Sequence, residues 1–184
     1  GTTSGISTAV TAAPEAQFNP DIAHDPDSRR SLVVWQDTRN QAATADDIYG
    51  QILGNGVMQV GDEFIISDAP GEQWLPQVAY AGKGIFLVIW QDRNPAPYEL
   101  RGRFYTSKGE PVGSEKMFVK LDSVDVASPV LAGNGESSLL IAYNYYDVTV
   151  PGLQIGTQAV AAPASGRIFL HLPAILNGSR SEAK

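Results

Sequence analysis

The chain has 184 residues, and its balance of 43% apolar and 18% charged residues is typical of a folded globular domain. Its formal net charge of −7 argues against nucleic acid or an anionic membrane surface as a partner, because both would repel an acidic protein. The absence of cysteine excludes disulfides and thiol chemistry, and no apolar run reaches the roughly 18 residues that a membrane-spanning helix needs.

The first thirty residues match the second half of a unit that occurs later in the chain. Residues 17–23 and 73–79 both begin with glutamine and an aromatic residue and have proline at their fourth position. Because the later segment is the fourth strand-like run of its unit, we expect residues 1–30 to form half of a four-stranded blade.

A complete unit of four strand-like segments follows at residues 31–84. Its apolar runs are bounded by turn residues, and Asn55-Gly56 is a tight hairpin signal between the second and third runs. The four predicted strands are residues 31–36, 47–53, 63–67 and 76–80.

The unit then recurs at residues 85–136, and its first half recurs at residues 137–160. Trp90 stands 55 residues after Trp35, and Tyr143 stands 53 residues after Trp90. A repeat of roughly fifty residues built from short strands is typical of propeller blades. The positions kept between units, for which we predict a blade-building role, are Trp35, Trp90 and Tyr143, Asp37 and Asp92, and Gly50, Gly102 and Gly156.

These spacings predict an all-β, β-propeller-like array of four-stranded blades, with three blades' worth of strands in one chain. Three blades are too few for a closed ring, since known propellers have roughly four to eight. One interpretation is a homodimer, or a higher homo-oligomer, in which two chains complete six blades. The other is that the chain is one piece of a longer propeller protein.

Residues 161–184 read as a linker and a C-terminal tail that includes one extra strand. The apolar stretch at 167–176 is separated from the repeats by an Ala-Pro-Ser-Gly linker. We expect this stretch either to cap the open edge of the array or to add to a sheet of a neighbouring subunit.

The repeat resembles those of secreted bacterial β-propeller proteins, and it is distantly similar to the TolB-type repeat. The resemblance lies in the Trp-Gln-Asp-x-Arg string at 35–39 and in Asp-Ile-Tyr-Gly-Gln at 47–51. The tail is similar to short C-terminal segments on exported proteins of filamentous thermophilic bacteria. These resemblances imply an extracellular or cell-surface location in a bacterium, and they supply no catalytic residues.

Two sets of residues are candidates for binding. Trp74, Phe18 and Tyr98 are aromatic side chains in loops or at strand starts, where they could stack on a ligand. The loop between the first two strands of the first complete unit is rich in oxygen ligands of the kind Ca²⁺ prefers, and its candidate ligands are Asp37, Asp46 and Asp47.

Signals for catalysis are weak in the sequence. The two histidines, His24 and His171, have no neighbouring serine in a nucleophile motif, and there are too few Cys and His residues for a zinc site. We therefore predict a secreted, non-enzymatic binding or adhesion module whose ligand is a glycan or a surface protein. The alternative is a structural self-assembling surface protein that uses its C-terminal strand. A glycan-active enzyme comes third, and it requires carboxylates clustered at the central channel.

Overall fold

The computed structural model describes residues 7–55, 57–94, 96–147, 149–150 and 152–164. This part of the chain consists of antiparallel strands and one short helix. The elements are β1 (Gln17–Asp25), β2 (Arg30–Asp37), α1 (Gln41–Thr44), β3 (Asp47–Gly54), β4 (Met58–Ser67), β5 (Gln73–Gly82), β6 (Ile85–Asp92), β7 (Glu99–Thr106), β8 (Pro111–Val119), β9 (Val126–Gly133), β10 (Ser138–Tyr146) and β11 (Leu153–Ala161). No helix among the described residues is long and apolar enough to span a membrane.

The strands form three antiparallel sheets that follow one another along the chain. The first sheet has the order β1-β2-β3-β4 and the second β5-β6-β7-β8, while the third contains β9, β10 and β11 in the described part. β1 packs beside β5, and β5 packs beside β9. We call β1, β5 and β9 the inner strands, because they bring the three sheets together along one side.

Each sheet begins one strand earlier than the sequence units do. Residues 76–80, predicted as the last strand of a unit, belong to β5, which opens the second sheet. The reason is the length of the connections: β5 joins β6 through a tight turn at 82–85, whereas residues 67–73 cross from one sheet to the next. Residues 17–25 likewise open the first sheet as β1, and residues 1–6 lie outside the described part.

The second strands of the first two sheets are buried on both faces because other parts of the chain pack against each face. Val88 and Trp90 of β6 pack towards the first sheet, and Leu87 and Ile89 of the same strand pack towards the third. This explains the continuous apolar runs in the sequence. Trp35 of β2 instead faces away from the second sheet, where it packs with Tyr49 of β3 and with Val10.

All three inner strands contain the same local distortion. One residue immediately before a proline adopts a positive φ in each strand: Asn19 (47°), Leu75 (54°) and Ser128 (48°). The pairing register with the neighbouring strand shifts at this point, as in a β-bulge. The bulges place Asp21, Gln77 and Val130 at equivalent positions on β1, β5 and β9.

Candidate functional site

The inner strands begin at one end of the molecule, and we call this end the rim. Gln17 of β1 pairs with Asp37 at the end of β2, and Gln73 of β5 pairs with Asp92 at the end of β6. The loops that follow β2 and β6 therefore lie at the same end as the starts of the inner strands.

Asp21 is a carboxylate on an inner strand, just beyond the bulge of β1. Its Oδ2 atom accepts a hydrogen bond of 2.8 Å from the backbone N–H of Val78 on β5, and its Oδ1 atom accepts one of 2.9 Å from the backbone N–H of Ile22. The side chain remains partly exposed. The equivalent residues Gln77 and Val130 carry no charge, so Asp21 breaks the symmetry of the repeat.

Two carboxylates stand at the rim itself, each immediately before an inner strand. Glu72 precedes β5, and its Oε2 atom accepts a hydrogen bond of 3.1 Å from Arg93 Nη1. Asp125 precedes β9, and its Oδ1 atom accepts a hydrogen bond of 2.7 Å from the backbone N–H of Tyr98. Both residues are exposed. The inner strands thus present three solvent-accessible carboxylates: Glu72 and Asp125 at the rim, and Asp21 four residues beyond the start of β1. Sequence reasoning did not identify Glu72 or Asp125.

The structure brings two of the three predicted aromatic residues together. The guanidinium of Arg93 lies 3.8 Å from the ring centroid of Trp74 and 4.6 Å from that of Tyr98. The ring faces that meet Arg93 are therefore occupied from within the protein. Phe18 occupies the position on β1 equivalent to Trp74, and its side chain is 45% exposed. Of the three predicted residues, Phe18 is the one best placed to meet a ligand at the rim.

The three predicted calcium ligands do not form one site. The Asp37 carboxylate accepts hydrogen bonds from Trp35 Nε1 and from Arg39, which also pairs with Glu63. The carboxylates of Asp46 and Asp47 accept from different amides, those of Gln36 and Asn40. The described residues contain no group of three His, Cys, Asp or Glu side chains that could hold a metal ion. The oxygen-rich loop serves instead as a set of separate polar contacts.

A series of hydrogen bonds connects the loop after β2 to the two inner strands β1 and β5. Gln36 accepts a hydrogen bond of 2.9 Å from Asn19 of β1 and donates one of 2.7 Å to Asp46 Oδ2. The backbone carbonyl of Asp46 in turn accepts a hydrogen bond of 2.9 Å from the N–H of Gln73, the first residue of β5. These bonds fix the starts of β1 and β5 relative to each other, so they position Asp21 and Glu72.

No protein-family model matches this chain, and no curated protein matches it by sequence. Two solved structures are similar in fold. The α-L-arabinanase of Penicillium chrysogenum, complexed with arabinobiose, is 12% identical with a TM-score of 0.50 over 74% of this chain and 43% of that one. The endo-arabinase of Bacteroides thetaiotaomicron is 12% identical with a TM-score of 0.52 over 86% of this chain and 61% of that one. The chain therefore spans less than two thirds of the length of either structure.

This similarity confirms the all-β, propeller-like architecture, and at 12% identity it shows the fold alone. It also corrects one expectation. We predicted a non-enzymatic binding or adhesion module, but both similar structures are enzymes that act on arabinan, and the comparison contradicts that prediction. Sequence reasoning failed here because the carboxylates of such a site come from separate strands and leave no local motif.

Proposed function

We propose that this chain carries a polysaccharide-hydrolysing site at its rim and belongs to a glycan-active enzyme, with arabinose-containing polymers as the first substrate class to test. The observation that carries the proposal is the set of accessible carboxylates Asp21, Glu72 and Asp125, on or immediately before three successive inner strands. The similarity in fold to two arabinanases supports the choice of substrate class.

Glycoside hydrolysis generally needs two carboxyl groups, one that protonates the leaving oxygen and one that acts as a base or nucleophile. Asp21 suits the second role, because two backbone N–H groups orient its carboxylate while the side chain stays accessible. Glu72 and Asp125 are the candidates for the proton donor. Glu72 stands at the start of β5, which packs beside β1, and Asp125 stands at the start of β9, which packs beside β5. The exposed ring of Phe18, three residues before Asp21 on β1, offers an apolar surface for a sugar ring.

An extracellular location, which the repeat resemblance implies, agrees with a polymeric substrate that cannot enter a cell. A ring of six blades formed by two chains would place further sheets around the same rim, and it stays a prediction. The TolB-type relationship stays a prediction as well. The proposed site does not depend on either, because its three carboxylates belong to one chain.

The test is release of reducing sugar from arabinan and from a panel of other plant and bacterial polysaccharides. We expect Asp21→Asn to lower kcat by about a thousandfold, as is common when a group that transfers a proton is lost. Glu72→Gln and Asp125→Asn, assayed in parallel, identify the proton donor as the variant with the larger loss. Glu136→Gln is the matched control, since Glu136 is exposed in the turn between β9 and β10 at the opposite end of the inner strands.

Two results would overturn the proposal. One is the absence of sugar release from every polysaccharide by the folded wild-type protein. The other is activity that survives unchanged in all three carboxylate variants, which would place catalysis elsewhere.

A further inference from the structure

A groove lies at the rim end of the third sheet, between the start of β9 and the end of β10. The pairing of Tyr145 with Val126 places the end of β10 at the rim. The volume of the groove is about 280 Å³, slightly less than the roughly 300 to 1,000 Å³ of pockets for drug-sized ligands, so its size suits a single sugar ring. The residues that line it include Asp125, Asn144, Tyr145, Tyr146 and Leu153.

The third sheet departs from the repeat at this groove. In each of the first two sheets the second strand ends in a buried aspartate, Asp37 or Asp92. Arg39 pairs with the first of these and Arg101 with the second. Tyr145 takes the same position in the third sheet, and β11, which pairs with this end of β10, contains no Lys or Arg. An uncharged surface with aromatic side chains thus replaces the ion pair of the other two sheets.

Asn144 differs from its counterparts Gln36 and Gln91 in the surroundings of its amide. The amide of Gln91 donates a hydrogen bond of 2.7 Å to the carbonyl of Val126, at the start of the next inner strand. Gln36 is connected to the start of β5 in a similar way, through Asp46. No inner strand follows β9 in the part of the chain that the structure describes, and Asn144 lines the groove at this place. Its amide is therefore available to the hydroxyl groups of a ligand.

The groove offers the two kinds of contact that a sugar ring needs. The ring of Tyr146, which is 50% exposed, and the side chain of its strand partner Leu153 give an apolar surface for the C–H groups of a sugar. Asn144 and Asp125 supply an amide and a carboxylate for its hydroxyl groups. The Asp125 carboxylate is held at the edge of the groove, because its Oδ1 atom accepts a hydrogen bond of 2.7 Å from the backbone N–H of Tyr98.

We propose that this groove is a subsite that binds one sugar residue of the polysaccharide next to Asp125. The choice of a sugar as the ligand rests on the proposed function, since Asp125 belongs both to the groove and to the set of accessible carboxylates. A sugar in the groove lies next to Asp125 whether this residue or Glu72 is the proton donor. The subsite contributes to affinity through Tyr146 and Asn144, which stand at positions where the other two sheets have no equivalent ligand contact.

Binding is measured without hydrolysis in the Asp21→Asn background, by isothermal titration calorimetry. The probes are arabinohexaose and hexasaccharides prepared from the other polysaccharides of the panel. Tyr146→Ala should raise the Kd about tenfold because it removes the aromatic surface, and Tyr146→Phe should leave the Kd unchanged. Asn144→Ala should raise the Kd about fivefold through the loss of a hydrogen bond. Leu140→Ala is the matched control, since Leu140 is 49% exposed on the same strand and is not among the residues that line the groove.

Circular dichroism verifies that each variant is folded. Affinities of Tyr146→Ala and Asn144→Ala equal to that of Leu140→Ala would overturn the subsite, and so would the absence of binding of every probe. Light scattering on the same variants then shows whether a second copy of the chain occupies the groove instead. The two proposals fail separately. Sugar release by wild type together with unchanged binding in the variants would remove only the subsite, whereas weakened binding in the variants without sugar release by wild type would remove only the hydrolytic function.

Discussion

Asp37 and Asp92 end the second strands of successive sheets, at the same position of the repeat, but different groups hold their carboxylates. Asp37 is fully buried and accepts a hydrogen bond of 2.9 Å from Trp35 Nε1 and further bonds from Arg39. Asp92 accepts one bond of 3.1 Å from the backbone N–H of Asn94, and the Nε atom of Arg101 lies 3.3 Å from its Oδ2 atom.

This difference moves the two pKa values in opposite directions from the ordinary value of 3.8. Burial alone would raise the pKa of both groups, because it disfavours the charged carboxylate. For Asp37 the hydrogen bonds from Arg39 and Trp35 outweigh burial, and the pKa is lowered. For Asp92 burial prevails over the bond from Asn94 and the charge of Arg101, and the pKa is raised.

The first prediction compares the two positions at neutral pH. Asp37→Asn should lower the free energy of unfolding by about 2 to 3 kcal/mol, because it leaves the buried donors of Arg39 and Trp35 without a charged acceptor. Asp92→Asn should cost clearly less, because it also removes a charge that burial disfavours. Urea unfolding at pH 7, followed by tryptophan fluorescence, measures both. Equal losses in the two variants would show that the repeat position, and not the set of partners, determines the effect.

The second prediction concerns the pH dependence of the same pair. The lowered pKa of Asp37 means that its contribution to stability is complete above pH 3.8 and is lost as the pH falls through its value in the folded state. The raised pKa of Asp92 has the opposite sign, so its ionisation lowers stability as the pH rises from 3.8 through its value in the folded state. The free energy of unfolding of Asp92→Asn, taken relative to that of wild type, should therefore increase as the pH rises from 3.5 to 7.

Urea unfolding of wild type and Asp92→Asn at several pH values in this window checks that trend. Asp37→Asn is the internal control, since its difference from wild type should shrink as the pH falls below 3.8. A constant difference for Asp92→Asn across the window would contradict the raised pKa.

The third prediction uses Gly50 and Gly102, which are equivalent glycines on β3 and β7. A Cβ atom at Gly102 would lie 2.5 Å from the backbone carbonyl oxygen of Val88, which cannot move without disturbing β6. A Cβ atom at Gly50 would meet only the ends of side chains, with Ile66 Cδ1 nearest at 2.9 Å. Gly102→Ala should therefore cost about 2 to 3 kcal/mol and Gly50→Ala about 1 kcal/mol. Thermal unfolding of the two variants side by side tests the order, and a larger loss for Gly50→Ala would reverse the argument.

The strand positions could be read from the sequence, because the burial of β2 and β6 requires apolar runs at a fixed spacing. The strand with which each sheet begins could not be read from the sequence, because periodicity gives the length of a unit but not which strands pair. The ion pairs show a second limit. Arg39 reaches Asp37 from a loop, whereas Arg101 reaches Asp92 from within β7, at the strand position that Tyr49 occupies in the first sheet. Similar charge clusters thus arise from different sequence positions.

The candidate site was harder to predict than the fold, for a related reason. Asp21 and Val78 are 57 residues apart in the chain, and only the packing of β1 beside β5 brings the carboxylate to the backbone N–H. Phe18 and Trp74 were identified from the repeat itself. The sequence gives no indication, however, that Arg93 covers a ring face of Trp74, because that contact depends on the path of the loop after β6.

The last prediction tests this contact. Trp35 and Trp90 are buried, so Trp74 is the tryptophan that a solvent quencher can reach. Removal of the guanidinium in Arg93→Ala should uncover the ring face and increase quenching of the emission by acrylamide. Arg93→Lys should give a smaller increase, because an ammonium group covers less of the ring than the planar guanidinium does. Arg103→Ala is the matched control, since Arg103 lies on β7 and its Nε atom donates to the carbonyl of Gly113. The same quenching in wild type and Arg93→Ala would show that Arg93 does not shield Trp74 in solution, and would restore Trp74 as a second surface for a sugar ring beside Phe18.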